Sequence, residues 1–104
     1  MQSFIDLPGA SGARYRFRLW PEGAVHLPIA GNYVIVKADP EGIRVLLVGA
    51  TNSLSLARAD WPRVARQGPT HVFTRLNVGR VERMAEHADI SAAHPSALVT
   101  EGVD

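Results

Sequence analysis

The chain contains no cysteine. Disulfides are therefore excluded, and so is any metal centre built on thiolates. Long apolar runs are missing too, since nothing approaches the ~20 consecutive apolar residues of a membrane-spanning helix. The N-terminal residues MQSFIDLPG carry neither the basic nor the apolar segment of an export signal, so the sequence predicts a cytoplasmic protein with no membrane partner. Lysine is nearly absent: Lys37 is the only one among 11 Lys and Arg residues. Excess charge of one sign is lacking as well, the formal net charge being +1. Any binding to nucleic acid must then rest on local clusters of arginine, whose planar donor fork grips phosphate or carboxylate, rather than on overall charge.

Several chemical motifs are also absent. The four histidines include no H-x-x-x-H or H-x-H pair, which leaves a zinc site without support. No Walker or Rossmann glycine loop occurs, and no serine sits in a G-x-S-x-G elbow. The stretch GATNSL, Gly49 to Leu54, follows a strand and opens a helix, so its backbone N–H groups could face an anion; a single glycine makes this a weak signal.

What is present fits one small α/β domain spanning residues 1–104. A chain of this length buries roughly 65% of its unfolded surface, enough to fold without staples. Residues 1–12, with Pro8, Gly9, Ser11 and Gly12, read as a lead-in loop. Ala13 to Trp20 alternates strictly, placing Arg14, Arg16 and Arg18 on one face and Tyr15, Phe17 and Leu19 on the other. That basic face is open to two readings: a phosphate contact, or a solvated strand edge whose charge blocks edge-to-edge aggregation. Gly31 to Leu54 reads as a strand, a turn at Asp39-Pro40-Glu41-Gly42, a second strand over 43–49 and a helix entry, with the hairpin at the centre of the sheet.

Thr51 or Asn52 is placed to cap a helix with apolar positions Leu54, Ala57, Trp61, Val64 and Ala65, and Asp60 to restart it before Pro62. Arg58, Arg63 and Arg66 fall off this stripe, as a phosphate-contacting patch or as an ordinary exposed face. A strand over 70–78 follows Gly68-Pro69. A last helix over 78–94 is capped by Asn77, with a core stripe of Val81, Met84, Ala85, Ala88 and Ala92. Glu86 lies on a different face with Ile90, either as a ligand for a hard cation such as Mg²⁺ or as an exposed partner of Arg83 or Arg80. Residues 97–104 read as a flexible tail.

The order of these pieces adds a further inference. Gly31-Asn32-Tyr33, then Leu47-Val48-Gly49 continuing through Thr51 and Leu54, then Gly68-Pro69-Thr70-His71 and a helix with Glu86 nine residues before Pro95 form one series. From about Leu27 to Leu98 the chain resembles the GIY-YIG nuclease superfamily. The resemblance implies a small central antiparallel sheet flanked by helices, to which this chain adds an N-terminal strand. It also implies that Tyr33 positions water, that an arginine on the first helix (here Arg58) steadies the phosphate, and that Glu86 holds one Mg²⁺ or Mn²⁺.

The chain departs from the family at three positions. Leu47 stands in place of the second tyrosine, Ala57 in place of the arginine, and Leu98 in place of a late asparagine. Arg58 is adjacent to the arginine position but lies about 100° around a helix. Loss of a proton-transfer group alone costs about 10²–10⁴-fold in rate. The expectation is therefore a degenerate domain that binds nucleic acid, most naturally DNA, through Arg58, Arg63 and Arg66 with little or no cleavage. Two alternatives stand beside it: a divergent Mg²⁺-dependent endonuclease using Glu86 and Tyr33, and a protein-interaction or homodimerisation module anchored by Trp20 or Trp61.

Overall fold

The computed structural model describes residues 1–100. They form strands β1 (Phe4–Pro8), β2 (Arg14–Trp20), β3 (Gly31–Asp39) and β4 (Gly42–Thr51), a 3-10 helical segment (Leu54–Gln67), strand β5 (His71–Leu76), helix α1 (Arg80–Ala93) and strand β6 (Leu98–Thr100). One sheet holds all six strands in the order β1-β2-β5-β3-β4-β6. Every pairing is antiparallel except β4 with β6, which is parallel. The sheet is thus mixed, which corrects the wholly antiparallel expectation. Among the described residues no helix is long and apolar enough to cross a membrane.

Two further expectations are corrected at the ends of the chain. The lead-in loop contains β1, whose Ile5 and Leu7 are buried against the sheet and whose backbone pairs with β2 from Phe4↔Arg18 to Pro8↔Arg14. The tail likewise docks: Leu98, Val99 and Thr100 pair with Leu47, Val48 and Gly49. The rest of the tail, 101–104, lies outside the described residues.

Alternation decides which side of the sheet each residue serves. Val34, Val36, Phe17, Phe73 and Ile90 share one core, beneath α1. Tyr33, Ile35, Val72, Leu54, Ala57 and Val64 share the other, beneath the 3-10 segment. The register of β3 against β4 shifts between Ile35 and Val36, whose partners are Leu47 and Val45. Leu46 is the extra residue of this bulge, and Leu46 and Leu47 both enter the second core, which strict alternation would forbid.

Tyr33 and Gly49 are cross-strand partners. The tyrosine ring lies over the glycine so closely that a Cβ there would fall 2.2 Å from the Tyr33 Cζ. Glycine is required at position 49 because an aromatic ring occupies the space of its missing side chain.

Both helical segments differ from their sequence reading. The 3-10 segment has Ser53 at its N-cap without a side-chain cap bond; Thr51 Oγ1 instead accepts from the Ser53 N–H at 3.1 Å. Pro62 sits inside it, lacking the N–H that an α-helical ladder would use there. Gly68 closes it in a left-handed conformation, φ 75°. Helix α1 is capped by Gly79, not Asn77, and its buried residues are Arg83, His87 and Ile90. The expected stripe is overturned: Val81, Ala85, Ala88 and Ala92 are exposed and Met84 is half-buried.

A polar network explains this rotation of the helix. The Arg83 guanidinium donates to the carbonyls of Asn77 and Val78 at 3.1 and 2.9 Å and to Asn52 Oδ1 at 3.0 Å. Asn32 Nδ2 donates to the Arg83 carbonyl at 3.0 Å, and Asn77 Nδ2 donates to Asn32 Oδ1 at 2.9 Å. With these donors satisfied, a charged side chain is tolerated on the inner face.

Candidate nucleic-acid interface

Neighbours in register across a sheet point to the same side. Phe4 pairs with Arg18, Arg18 with Thr74, Thr74 with Tyr33 and Tyr33 with Gly49, so these residues make one row across five strands. Its Tyr33 end is covered by the 3-10 segment, where the Tyr33 hydroxyl donates to Asp60 Oδ2. Its Phe4 end is uncovered. There a groove of about 730 Å³ runs between β1, β2, β5 and the loop that joins β2 to β3.

Arginines and apolar side chains line this groove. Arg16 and Arg18 stand beside the Phe4 ring, with guanidinium carbons 5.6 and 5.9 Å from its centroid. His26 forms the facing wall. Its Nδ1 lies 2.9 Å from the Leu27 carbonyl, which can only accept, so Nδ1 carries the proton and Nε2 accepts from the Thr74 hydroxyl at 2.8 Å. The imidazole also packs edge-on against Trp20 at 5.0 Å, and Trp20 Nε1 donates to the Ala24 carbonyl at 2.8 Å. Together these contacts tie the loop to the sheet.

Among the described residues no Asp or Glu lines the groove. Asp6, across from Arg16 on this face of the β1–β2 pair, accepts from Arg16 Nε and Nη2 at 2.9 and 3.2 Å. That hydrogen bond holds the Asp6 carboxyl below its ordinary value and raises Arg16 above its own. The pair is exposed on both sides, so water and salt screen it and it can exchange for another anion. Arg14 continues the basic row one position beyond Arg16 and is exposed.

The residues singled out from the sequence are dispersed around this groove. Arg58 packs on Trp20, its guanidinium carbon 4.2 Å from the ring, and donates through Nη2 to the carbonyls of Trp20 and Pro21 at 2.8 and 3.0 Å. It fastens the end of β2. Arg63 is drawn to Asp60 at 3.7 Å, and Arg66 is exposed in the last turn of the 3-10 segment. Glu86 lies on α1, on the opposite face of the sheet from Tyr33, where its Oε1 accepts from Arg75 Nε at 2.7 Å. The structure therefore does not bring Tyr33 and Glu86 together. Of the tryptophans, Trp20 is buried and Trp61 half-buried against the second core.

A divalent cation fits Glu86 poorly. It would have to displace the Arg75 guanidinium from the carboxylate and then sit beside that positive charge. No group of three or more His, Cys, Asp or Glu side chains able to hold a metal occurs among the described residues.

Sequence reasoning found the arginine face of β2 but missed the groove that gives it a shape. The groove depends on β1, read as loop, and on the return of the 21–30 connection over the sheet. The alternation of Ile5 and Leu7 carried a signal for β1. Comparison of the chain with protein-family models, with curated proteins and with solved structures yields no match.

Proposed function

We propose that this domain binds nucleic acid through the uncovered face of β1, β2 and β5 and has little or no capacity to cleave it. The observation that carries this reading is the groove wall made by Arg16 and Arg18, extended by Arg14, with no carboxylate of the described residues in the groove itself. Guanidinium groups at alternate strand positions stand ~7 Å apart, two strand rises. A row with that spacing suits successive phosphates of an extended backbone, and the exposed Asp6–Arg16 pair opens when a phosphate competes for the arginine. The resemblance to the GIY-YIG superfamily agrees with a nucleic-acid partner. What supports the absence of cleavage is the separation of Tyr33 from Glu86, the engagement of Glu86 by Arg75, and Leu47 in place of a hydroxyl.

Titration of the purified chain with labelled DNA and RNA at graded salt tests this reading. The logarithm of affinity should fall with the logarithm of salt with a slope of about −2 for three phosphate contacts on single strands, or nearer −3 on duplex. Replacing Arg14, Arg16 and Arg18 together by Ala should remove most of that slope, while Arg63→Ala with Arg66→Ala should change it far less. Affinity indifferent both to salt and to the β2 arginines would sink the reading. Divalent-dependent nicking abolished by Glu86→Ala would overturn the claim of little or no cleavage and favour an endonuclease.

A further inference from the structure

We infer that the strand held in the groove is single, with unpaired bases laid on apolar side chains between the arginines. This rests on the nucleic-acid reading above and adds to it the state of the strand. The groove is not merely basic. Phe4 is 45% exposed, Leu27 60% and Leu76 57%, and all three line it. An arginine patch that only gripped the outside of a duplex would gain nothing from apolar side chains among its charges. A duplex hides its base faces in the stack and would leave Phe4, Leu27 and Leu76 against hydrated phosphate and sugar. Unpaired bases bury them.

The geometry around Phe4 strengthens the case. Arg16 and Arg18 hold their guanidinium carbons over its ring, each within 6 Å of the centroid. A base that stacks beside these groups on the exposed ring brings its own phosphates within reach of the guanidinium donors. Aromatic rings alternating with cations on a sheet surface are the means by which proteins hold single strands without reading sequence. The opposite wall is fixed rather than adaptable, because both nitrogens of His26 are occupied by Leu27 and Thr74 and its ring rests on Trp20.

The experiment is a fluorescence-anisotropy titration of the full chain with labelled oligothymidine, oligouridine and a duplex of the same length, at one salt concentration. Single strands should bind about tenfold or more tightly than the duplex. Phe4→Ala should weaken single-strand binding by about 5- to 100-fold, the range of one lost base–aromatic stack, and leave the duplex unchanged. Phe4→Trp should restore the single-strand affinity, which a general loss of fold or charge would not allow; circular dichroism confirms that each variant is folded. Duplex binding equal to or tighter than single-strand binding overturns the inference, as does an equal loss on all three ligands in Phe4→Ala. Failure of every nucleic acid to bind overturns the parent reading instead.

Discussion

The two faces of the sheet solve the same problem differently. On the face beneath α1, polar groups are matched locally: Arg75 with Glu86, Arg83 with a ring of amide oxygens, and Asp89 with Ser11 and Tyr15. On the other face the covering segment lies over β3 and β4 and reaches β2 at Trp20, and among the described residues the β2 arginines beyond it have one acidic partner, Asp6 on β1. The first face is closed both apolarly and electrostatically. The second is closed over half its width and leaves positive charge to solvent. A fold that needed only stability would have little reason to leave that half so one-signed, and this contrast is why the functional proposal rests on the uncovered half.

Substitutions that act on one face alone test the contrast. The largest effect should come from the closed face. Ile90→Ala empties a fully buried site and should cost about 2–5 kcal/mol in urea unfolding, while the folded fraction binds nucleic acid as before. Next is Gly49→Ala, which forces a methyl group into the Tyr33 ring and should cost about 1–3 kcal/mol or more. On the uncovered face the order of effects reverses. Arg14, Arg16 and Arg18 changed together to Ala should alter stability by only about 0.5 kcal/mol per site while flattening the salt dependence of binding. Loss of stability without loss of binding in the triple variant would erase the distinction between the faces.

The smallest effect concerns the latch that fixes the β1–β2 turn to α1. Ser11 Oγ and Tyr15 Oη donate to Asp89 Oδ2 at 2.6 and 2.7 Å, and the Ser11 N–H donates to Oδ1 at 2.8 Å. Hydrogen bonds from the Ser11 side chain, then Tyr15, then the Ser11 backbone hold the Asp89 carboxyl below its ordinary value of 3.8. A depressed carboxylate stabilises the fold fully above its unfolded value and progressively less as pH falls through the folded one. Chemical denaturation should therefore show a modest decline below about pH 3.8, and Asp89→Asn should flatten part of it. Asp6, lowered through Arg16, contributes to the same limb, so some decline should persist in that variant. Tyr15 works in the opposite direction: Asp89 raises it above 10.0, so its contribution is complete below that pH and disappears on further alkalisation.

Much of this architecture was legible because alternation is a strong signal where one side of a strand is buried. The β2 pattern and the strands of the hairpin follow from it, as the turn at Pro40-Glu41 follows from its residues and the helix near Glu86 from helical spacing. Three features resisted. Turn residues at Pro8, Gly9 and Gly12 masked the short alternation of Ile5 and Leu7, and β6 is only three residues long, so both end strands take their structure from long-range pairing. The inner face of α1 was misread because pattern rules place Arg83 and His87 outside, whereas the Asn77 and Val78 carbonyls just before the helix and Asn52 from a distant loop make Arg83 tolerable within. Candidate chemistry was read along the chain, and the chain does not say that Tyr33 and Glu86 fall on opposite sides of a sheet. Arg58 shows the same limit, since a helix-face arginine gives no hint that two backbone carbonyls of β2 and its following loop will claim it.

Tyr33 and Gly49 carry one last consequence. The ring fills the space above the glycine, and the hydroxyl beyond it ties the sheet to the covering segment through Asp60. Tyr33 therefore has mechanical work that does not depend on any chemistry at its hydroxyl. The two positions are free to drift only as a pair. A larger residue at 49 is harmful while the ring remains, and a smaller one at 33 leaves a hole that such a residue would fill, so their substitutions should be strongly non-additive. The pair would then be kept for its shape, whatever chemistry or binding the rest of the domain performs.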